Sequence, residues 1–193
     1  MKIKQIAKLL IILILMVSVV GCGSEEKKET PTSQSTTSNQ EQEPITNLES
    51  YDKGYLEVSE EDSKGLEVKE CTRSATGENN AEVKLNYTLY YQGEYLKILH
   101  SKEEIITDDQ DVLDEYQTAY INIYKNYEDL DYYTTSVVRE NNSVTNDTVI
   151  NYDKLDTDKL LEIEGEEDNI IKDGKVKVSD WLEFAEKFGT KCE

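Results

Sequence analysis

The stretch from Ala81 to Tyr91, AEVKLNYTLYY, contains the clearest secondary-structure pattern in this chain. Apolar or aromatic side chains occupy every second position, and polar side chains occupy the positions between them: Glu82, Lys84, Asn86 and Thr88. A period of two is typical of a β-strand that buries one face and exposes the other. The stretch therefore predicts a half-buried strand.

Two further strands are predicted beside this one. Leu66 to Thr76 is a candidate strand that ends in a turn at residues 77–80, and Tyr95 to Ile106 is a third strand after a tight turn at Gln92-Gly93. Cys71 has the opposite parity to Leu66 and Val68. Either a bulge or a disulfide at the sheet edge would explain why Cys71 falls on the opposite face of this strand.

The period changes between Thr107 and Leu130. Thr107 and Gln110 match a capping box. The apolar residues that follow recur at spacings of three and four, which predicts a long amphipathic helix. Its predicted apolar face consists of Val112, Tyr116, Ala119, Tyr120, Ile123, Tyr127 and Leu130, flanked by Tyr124. We interpret the tyrosines as core residues rather than a stacking platform for ligands, because each ring can bury its face while its hydroxyl reaches the rim.

The last third of the chain predicts a hairpin and a terminal helix. Strands at 132–140 and 143–152 flank Asn141-Asn142, a short helical turn includes Leu160, and residues 164–174 form an acidic loop. Ser179 is predicted to cap a helix from Asp180 to Phe188, with Gly189 at its end. The expected fold is α+β, with an antiparallel sheet of about five strands in a single domain at residues 65–193.

The N-terminus has the features of a lipoprotein signal peptide at residues 1–21. Lys2, Lys4 and Lys8 precede an apolar run of about 12 residues, whereas a membrane-spanning helix needs roughly 20. The sequence VVGC that ends at Cys22 resembles the bacterial lipobox, whose cysteine receives a diacylglyceryl group. The expected mature protein is anchored by acylated Cys22 to the outer face of the bacterial cell membrane, and residues 22–64 form a flexible acidic tether.

Lipidation of Cys22 leaves two cysteines, Cys71 and Cys192, outside the cytosol. Two thiols in an oxidising compartment predict one disulfide between them. The alternative is a pair of reduced, buried thiols.

The formal net charge of −20 is strongly negative. Such a surface repels nucleic acid, so no nucleic-acid partner is expected. The charge provides solubility and self-repulsion at a cell surface, or it attracts cations or a basic partner.

Candidate chemistry is sparse. Asn169, Asp173 and Asp180 fit positions of a calcium loop, but Ile171 occupies a ligand position. The sequence shows no nucleophile elbow, no phosphate-binding loop and no histidine–carboxylate pair close together in the sequence, and His100 is the only histidine. We therefore expect no enzyme activity, no cofactor and no dedicated metal site.

Several short motifs resemble the YehR-like family of small bacterial lipoproteins in its Gram-positive form. They are Cys71-Thr72, Asp114-Glu115-Tyr116 with Tyr120, residues 151–155 (NYDKL) and residues 189–192 (GTKC). The resemblance covers about residues 65–193 and the lipobox, and departs most in the acidic loop before Gly174. It implies an α+β domain, a lipid anchor and the Cys71–Cys192 pair, and it supplies no active site or established molecular function.

Two functions remain open. The first is a non-catalytic module that binds an envelope protein or another envelope component. The second is a lipoprotein that captures a small solute or cation. A concave pocket would favour the second, and a flat sheet face with exposed tyrosines would favour the first.

Overall fold

The computed structural model describes residues 50–54, 56–166 and 169–193. The predicted signal peptide, the lipobox with Cys22 and most of the predicted tether lie outside these residues. The strands are β1 (Tyr51–Lys53), β2 (Glu67–Thr76), β3 (Glu82–Gln92), β4 (Tyr95–Ile106), β5 (Tyr133–Arg139), β6 (Ser143–Asn151), β7 (Ile171–Lys172), β8 (Lys175–Lys177) and β9 (Lys191–Cys192). The helices are α1 (Glu60–Ser63), α2 (Gln110–Tyr124), α3 (Thr157–Glu164) and α4 (Val178–Glu186).

The strands form one antiparallel sheet in the order β1-β5-β6-β4-β3-β2-β9, with β8 paired to the start of β4 and β7 paired to β8. The α+β class and the antiparallel sheet are confirmed. The five predicted strands correspond to β2 to β6, and four short strands extend the sheet to nine within the described residues.

The inner face of the sheet packs against the helices and carries the alternate residues of β3. Val83, Leu85 and Leu89 are buried there, as the period of two predicts. Cys71 pairs with Tyr87 on this inner face, whereas Val68 faces outward and is 52% exposed. The β2–β3 pairing runs without a register shift, so the parity of Cys71 reflects an inward-facing cysteine at the sheet edge rather than a bulge.

The long helix α2 begins later than its pattern predicted. Asp109 is its N-cap, because the Asp109 carboxylate accepts hydrogen bonds from the backbone N–H groups of Asp111 and Val112. The predicted capping box of Thr107 and Gln110 is therefore wrong. The helix ends at Tyr124 and continues as a 3-10 turn, so Tyr127 and Leu130 are buried as predicted but lie beyond the α-helix.

The α2 face that contacts the sheet is also rotated relative to the prediction. Its buried residues are Val112, Leu113, Gln117, Tyr120, Ile121 and Tyr124. Tyr116, Ala119 and Ile123 are half-buried along the flank.

The C-terminal helix α4 starts at Val178, and the Ser179 hydroxyl bonds the Asp180 carboxylate instead of capping the helix. The predicted Ser179 cap is wrong. After α4, the chain turns at Gly189 and adds β9 to the edge of β2, where Cys192 and Cys71 form a disulfide.

The other edge of the sheet is formed by β1. Its residues pair with Thr135 to Val137 of β5, and the Lys53 ammonium donates to the backbone carbonyls of Tyr127 and Leu130. This strand lies in the segment assigned to the tether, so regular structure begins before Gly65. No helix within the described ranges is long and apolar enough to cross a membrane.

Candidate ligand cavity

A cavity of about 140 Å³ lies between the inner face of the sheet and helices α2, α3 and α4. We call it the tyrosine cavity, because nine aromatic side chains line it: Tyr87, Tyr116, Tyr120, Tyr124, Tyr127, Tyr133, Tyr152, Trp181 and Phe184. Leu99, Ile150 and Leu160 add aliphatic surface. The interpretation of the tyrosines as core residues holds for Tyr120, Tyr124 and Tyr127, which are buried, but the same rings also enclose this space.

Buried polar side chains of β5 and β6 form a hydrogen-bond network that includes two residues of the cavity wall, Tyr124 and Thr148. The Asn146 amide donates to the Tyr124 hydroxyl (2.7 Å), and the Thr135 hydroxyl lies 2.9 Å from that of Thr148 and donates to the Asn146 carbonyl (3.3 Å). Burial raises the pKa of Tyr124 to about 12, so its hydroxyl stays protonated. A buried hydrogen-bond network of this kind holds the Tyr124 ring in place above the sheet.

Glu164, the last residue of α3, brings a carboxylate to the cavity wall. The Tyr127 hydroxyl donates to Oε1 (3.4 Å), and the Asn169 amide donates to Oε2 (3.0 Å). Burial raises the pKa of Glu164, and these two hydrogen bonds partly oppose that rise. The sequence placed Glu164 in a solvated acidic loop, which is wrong. Its position four residues after the buried Leu160 was the available signal, because both side chains then share one helix face.

The C-terminal segment forms the remaining wall. Trp181 packs edge-on against Tyr87 with ring centroids 5.2 Å apart, and Ala185 and Thr190 line the cavity beside it. The Thr190 hydroxyl is buried and has no hydrogen-bond partner among the residues that the structure describes. The disulfide to Cys71 fastens this wall to the sheet two residues after Thr190.

A second buried carboxylate lies on the inner face of the sheet. Arg73, Leu85, Glu103 and Asn146 are register neighbours in one row. Glu103 is only 5% exposed, and its Oε2 has no hydrogen-bond partner in the described part of the chain. Burial raises the pKa of Glu103 to about 8, although the hydrogen bond with Tyr120 and the charge of Arg73 act in the opposite direction. The sequence pattern did not single out Glu103, although it has the same strand parity as the buried Ile105.

The weak metal candidates do not converge. Asn169 points inward, where its carbonyl accepts from the Ile171 N–H (3.0 Å). Asp173 turns the β7–β8 hairpin and, with Asp180, lines a separate depression that also contains Lys172, Lys175 and Lys177. Across residues 50–54, 56–166 and 169–193, no group of three or more histidine, cysteine, aspartate or glutamate side chains could hold a metal ion.

Cys22 and His100 are the remaining residues named from the sequence. Cys22 lies outside the described residues. His100 is a strand residue of β4 and bonds the Asp147 carboxylate at 2.7 Å.

Comparisons with known proteins found two solved structures that are weakly similar to this fold. Neither a protein-family model nor a curated protein matches the sequence. The NMR structure of a Streptococcus pneumoniae TIGR4 protein is 13% identical with a TM-score of 0.45, and the match covers 89% of this chain and 100% of that one. The NMR structure of the Escherichia coli YehR protein is 15% identical with a TM-score of 0.47, and the match covers 66% of this chain and 92% of that one. Both likenesses are too weak to assign a family, so membership of the YehR-like family stays a prediction.

Proposed function

We propose that this chain is a lipid-anchored, extracytoplasmic binding protein that holds a small and mostly apolar molecule in the tyrosine cavity. The observation that carries the proposal is the cavity of about 140 Å³. Protein interiors are close-packed, and an empty cavity destabilises a fold by roughly 24 cal/mol per Å³. A space of this volume inside a small domain is therefore a departure from close packing that a bound ligand would remove.

The size and the lining of the cavity suit a compact ligand. An apolar cavity of roughly 150 Å³ holds benzene. Ligand sites are mainly apolar or aromatic and contain a few polar groups that orient the ligand. The tyrosine cavity has this composition, with Glu164 and the unpartnered Thr190 hydroxyl as polar groups in its wall.

The alternative of an interaction module has less support. The large apolar side chains exposed in the described part of the chain are Val68, Tyr132 and Val138. Val68 lies on β2, whereas the other two lie near opposite ends of β5, and three strands separate β2 from β5. These side chains do not form one continuous apolar face for a partner.

Fluorescence of Trp181 can test ligand binding directly, because it is the only tryptophan in the chain and it lines the cavity. The full chain in phosphatidylcholine vesicles is titrated with benzene. We expect a saturable change in Trp181 emission that is lost in Ala119→Leu, because Ala119 lines the cavity and the larger side chain fills it. Glu115→Leu, at an exposed position of the same helix, is the control and should bind like the wild type.

Two results of this titration would reject the proposal. One is no saturable change with the wild-type chain. The other is the same response in Ala119→Leu and Glu115→Leu.

The lipid anchor rests on the sequence and has its own test. Cys22→Ala should remove acylation, so that the protein is released from the membrane fraction or accumulates as an unprocessed precursor. Normally cleaved and membrane-retained Cys22→Ala protein would reject the anchor while leaving the cavity proposal intact.

A further inference from the structure

The formal charge in the lining of the tyrosine cavity is negative. Among the described residues that line it, Glu164 has the only formal charge, and no lysine, arginine or histidine is present. The groups that act on the Glu164 carboxylate are the neutral Asn169 and Tyr127 side chains. A carboxylate in a poorly solvated wall is strongly stabilised by a positive charge, and this cavity supplies none of its own.

Tyrosine rings line the cavity near the same carboxylate, and Tyr127 contacts it directly through its hydroxyl. The Tyr127 and Tyr133 rings stack with centroids 4.4 Å apart, and Tyr124 lies 6.3 Å from each. Burial raises the pKa of Tyr127, Tyr133 and Tyr152, and the negative charge of Glu164 adds to the rise in all three. These hydroxyls therefore remain protonated, and the carboxylate lies close to three neutral rings.

Aromatic rings attract cations through the negative potential of their faces, most strongly where water is excluded. A bare metal ion would need several oxygen ligands, and the cavity wall is mainly hydrocarbon. A cation that carries its own apolar groups avoids this requirement. It places methyl groups against the rings and its positive charge near the carboxylate.

We infer that the ligand of the tyrosine cavity is a small organic cation, an alkyl-substituted ammonium ion about the size of tetramethylammonium. This inference rests on the proposed function, because it specifies the ligand class of the same cavity. Glu164 provides the charge complement, and the rings of Tyr127, Tyr133 and Tyr152, which line the same cavity, provide the cation-binding surface.

The test compares tetramethylammonium with tert-butanol, a neutral molecule of similar shape. Each is titrated into the full chain in phosphatidylcholine vesicles, with Trp181 emission as the readout. We expect tetramethylammonium to bind the wild-type chain at least about tenfold more tightly than tert-butanol, because only the cation gains from the carboxylate and the ring faces. This comparison needs no variant, so it stays decisive if a substitution prevents folding.

A matched pair of variants then isolates the charge. Glu164→Gln keeps the shape of the side chain and should weaken tetramethylammonium binding about tenfold while changing tert-butanol binding less than about twofold. Glu162→Gln, at an exposed position of the same helix, should change neither.

Equal affinity for the two probes, with no effect of Glu164→Gln, would overturn the inference and leave the proposed function standing. Binding of benzene but of neither probe would also overturn it. Failure of benzene and both probes together would reject the proposed function itself.

Discussion

Glu103 should make the stability of the protein depend on pH in an unusual direction. Glu103 is 5% exposed between Leu85 and Asn146 on the inner face of the sheet, and burial raises its pKa from the ordinary 4.5 to about 8. Below pH 4.5 the group is protonated in both the folded and the unfolded chain, so its contribution to stability is fully present. As the pH rises from 4.5 to 8, the unfolded chain ionises first, and the free energy of unfolding falls.

The size of this effect follows from the shift. Each pH unit within the window changes the free energy of unfolding by about 1.4 kcal/mol, so the rise from 4.5 to about 8 corresponds to roughly 5 kcal/mol in total. Between pH 5.5 and pH 8.5, the free energy of unfolding should fall by about 3 kcal/mol of this total. Glu103→Gln keeps the shape and removes the titration, so this component of the pH dependence should disappear.

The assay is urea unfolding at both pH values, followed by circular dichroism and Trp181 fluorescence. We expect the wild type to lose about 3 kcal/mol more than Glu103→Gln between pH 5.5 and pH 8.5. Glu104→Gln is the control, because Glu104 is the next residue of β4 and faces the other side of the sheet. Equal pH dependence in the wild type and Glu103→Gln would refute the assignment of Glu103 as a buried carboxyl that titrates near neutrality.

Two further predictions concern stability. Replacing Cys71 and Cys192 with serine should lower the free energy of unfolding by up to about 5 kcal/mol, because the disulfide closes a loop with a sequence separation of 121. Denaturant unfolding checks this, and a loss below about 1 kcal/mol would contradict it. Asp109→Ala should cost about 1 kcal/mol by removing the N-cap of α2. Asp108→Ala, at the exposed neighbouring position, serves as the control, and an equal loss in both variants would speak against the cap.

The sequence could predict β2 to β6 because each of these strands is long enough to show alternation. The strands β1, β7, β8 and β9 have two or three residues each, too few for a period to be visible. They form because neighbouring strands offer free backbone groups. Such pairing depends on tertiary position rather than on local pattern.

The sequence pattern predicted the wrong contact face for helix α2, and the reason lies in the helix itself. Apolar side chains occur on both flanks of this helix, because Leu113 and Ile121 face the sheet while Ala119 and Ile123 face the cavity. A helical period alone cannot choose between two apolar flanks. Gln117, which is fully buried at the centre of the true contact face, masked that face further.

The cavity itself could not be predicted from the pattern. It exists because α2, α3 and α4 meet the sheet at distances set by packing, and Glu164 enters it through a helix whose length the sequence did not define. The pairing of Cys71 with Cys192 was predictable, because their expected compartment left two thiols without other partners. The structure confirms that these two cysteines are within bonding distance.

The most direct test of the central claim is to locate a bound probe by NMR. The full chain is labelled with ¹³C at its aromatic residues, and intermolecular nuclear Overhauser effects are measured from the protons of bound benzene. We predict contacts to the rings of Trp181 and Tyr124, which both line the tyrosine cavity. Contacts restricted to lipid or to exposed rings such as Tyr132, or no contacts at all, would contradict the claim that this cavity is a ligand site.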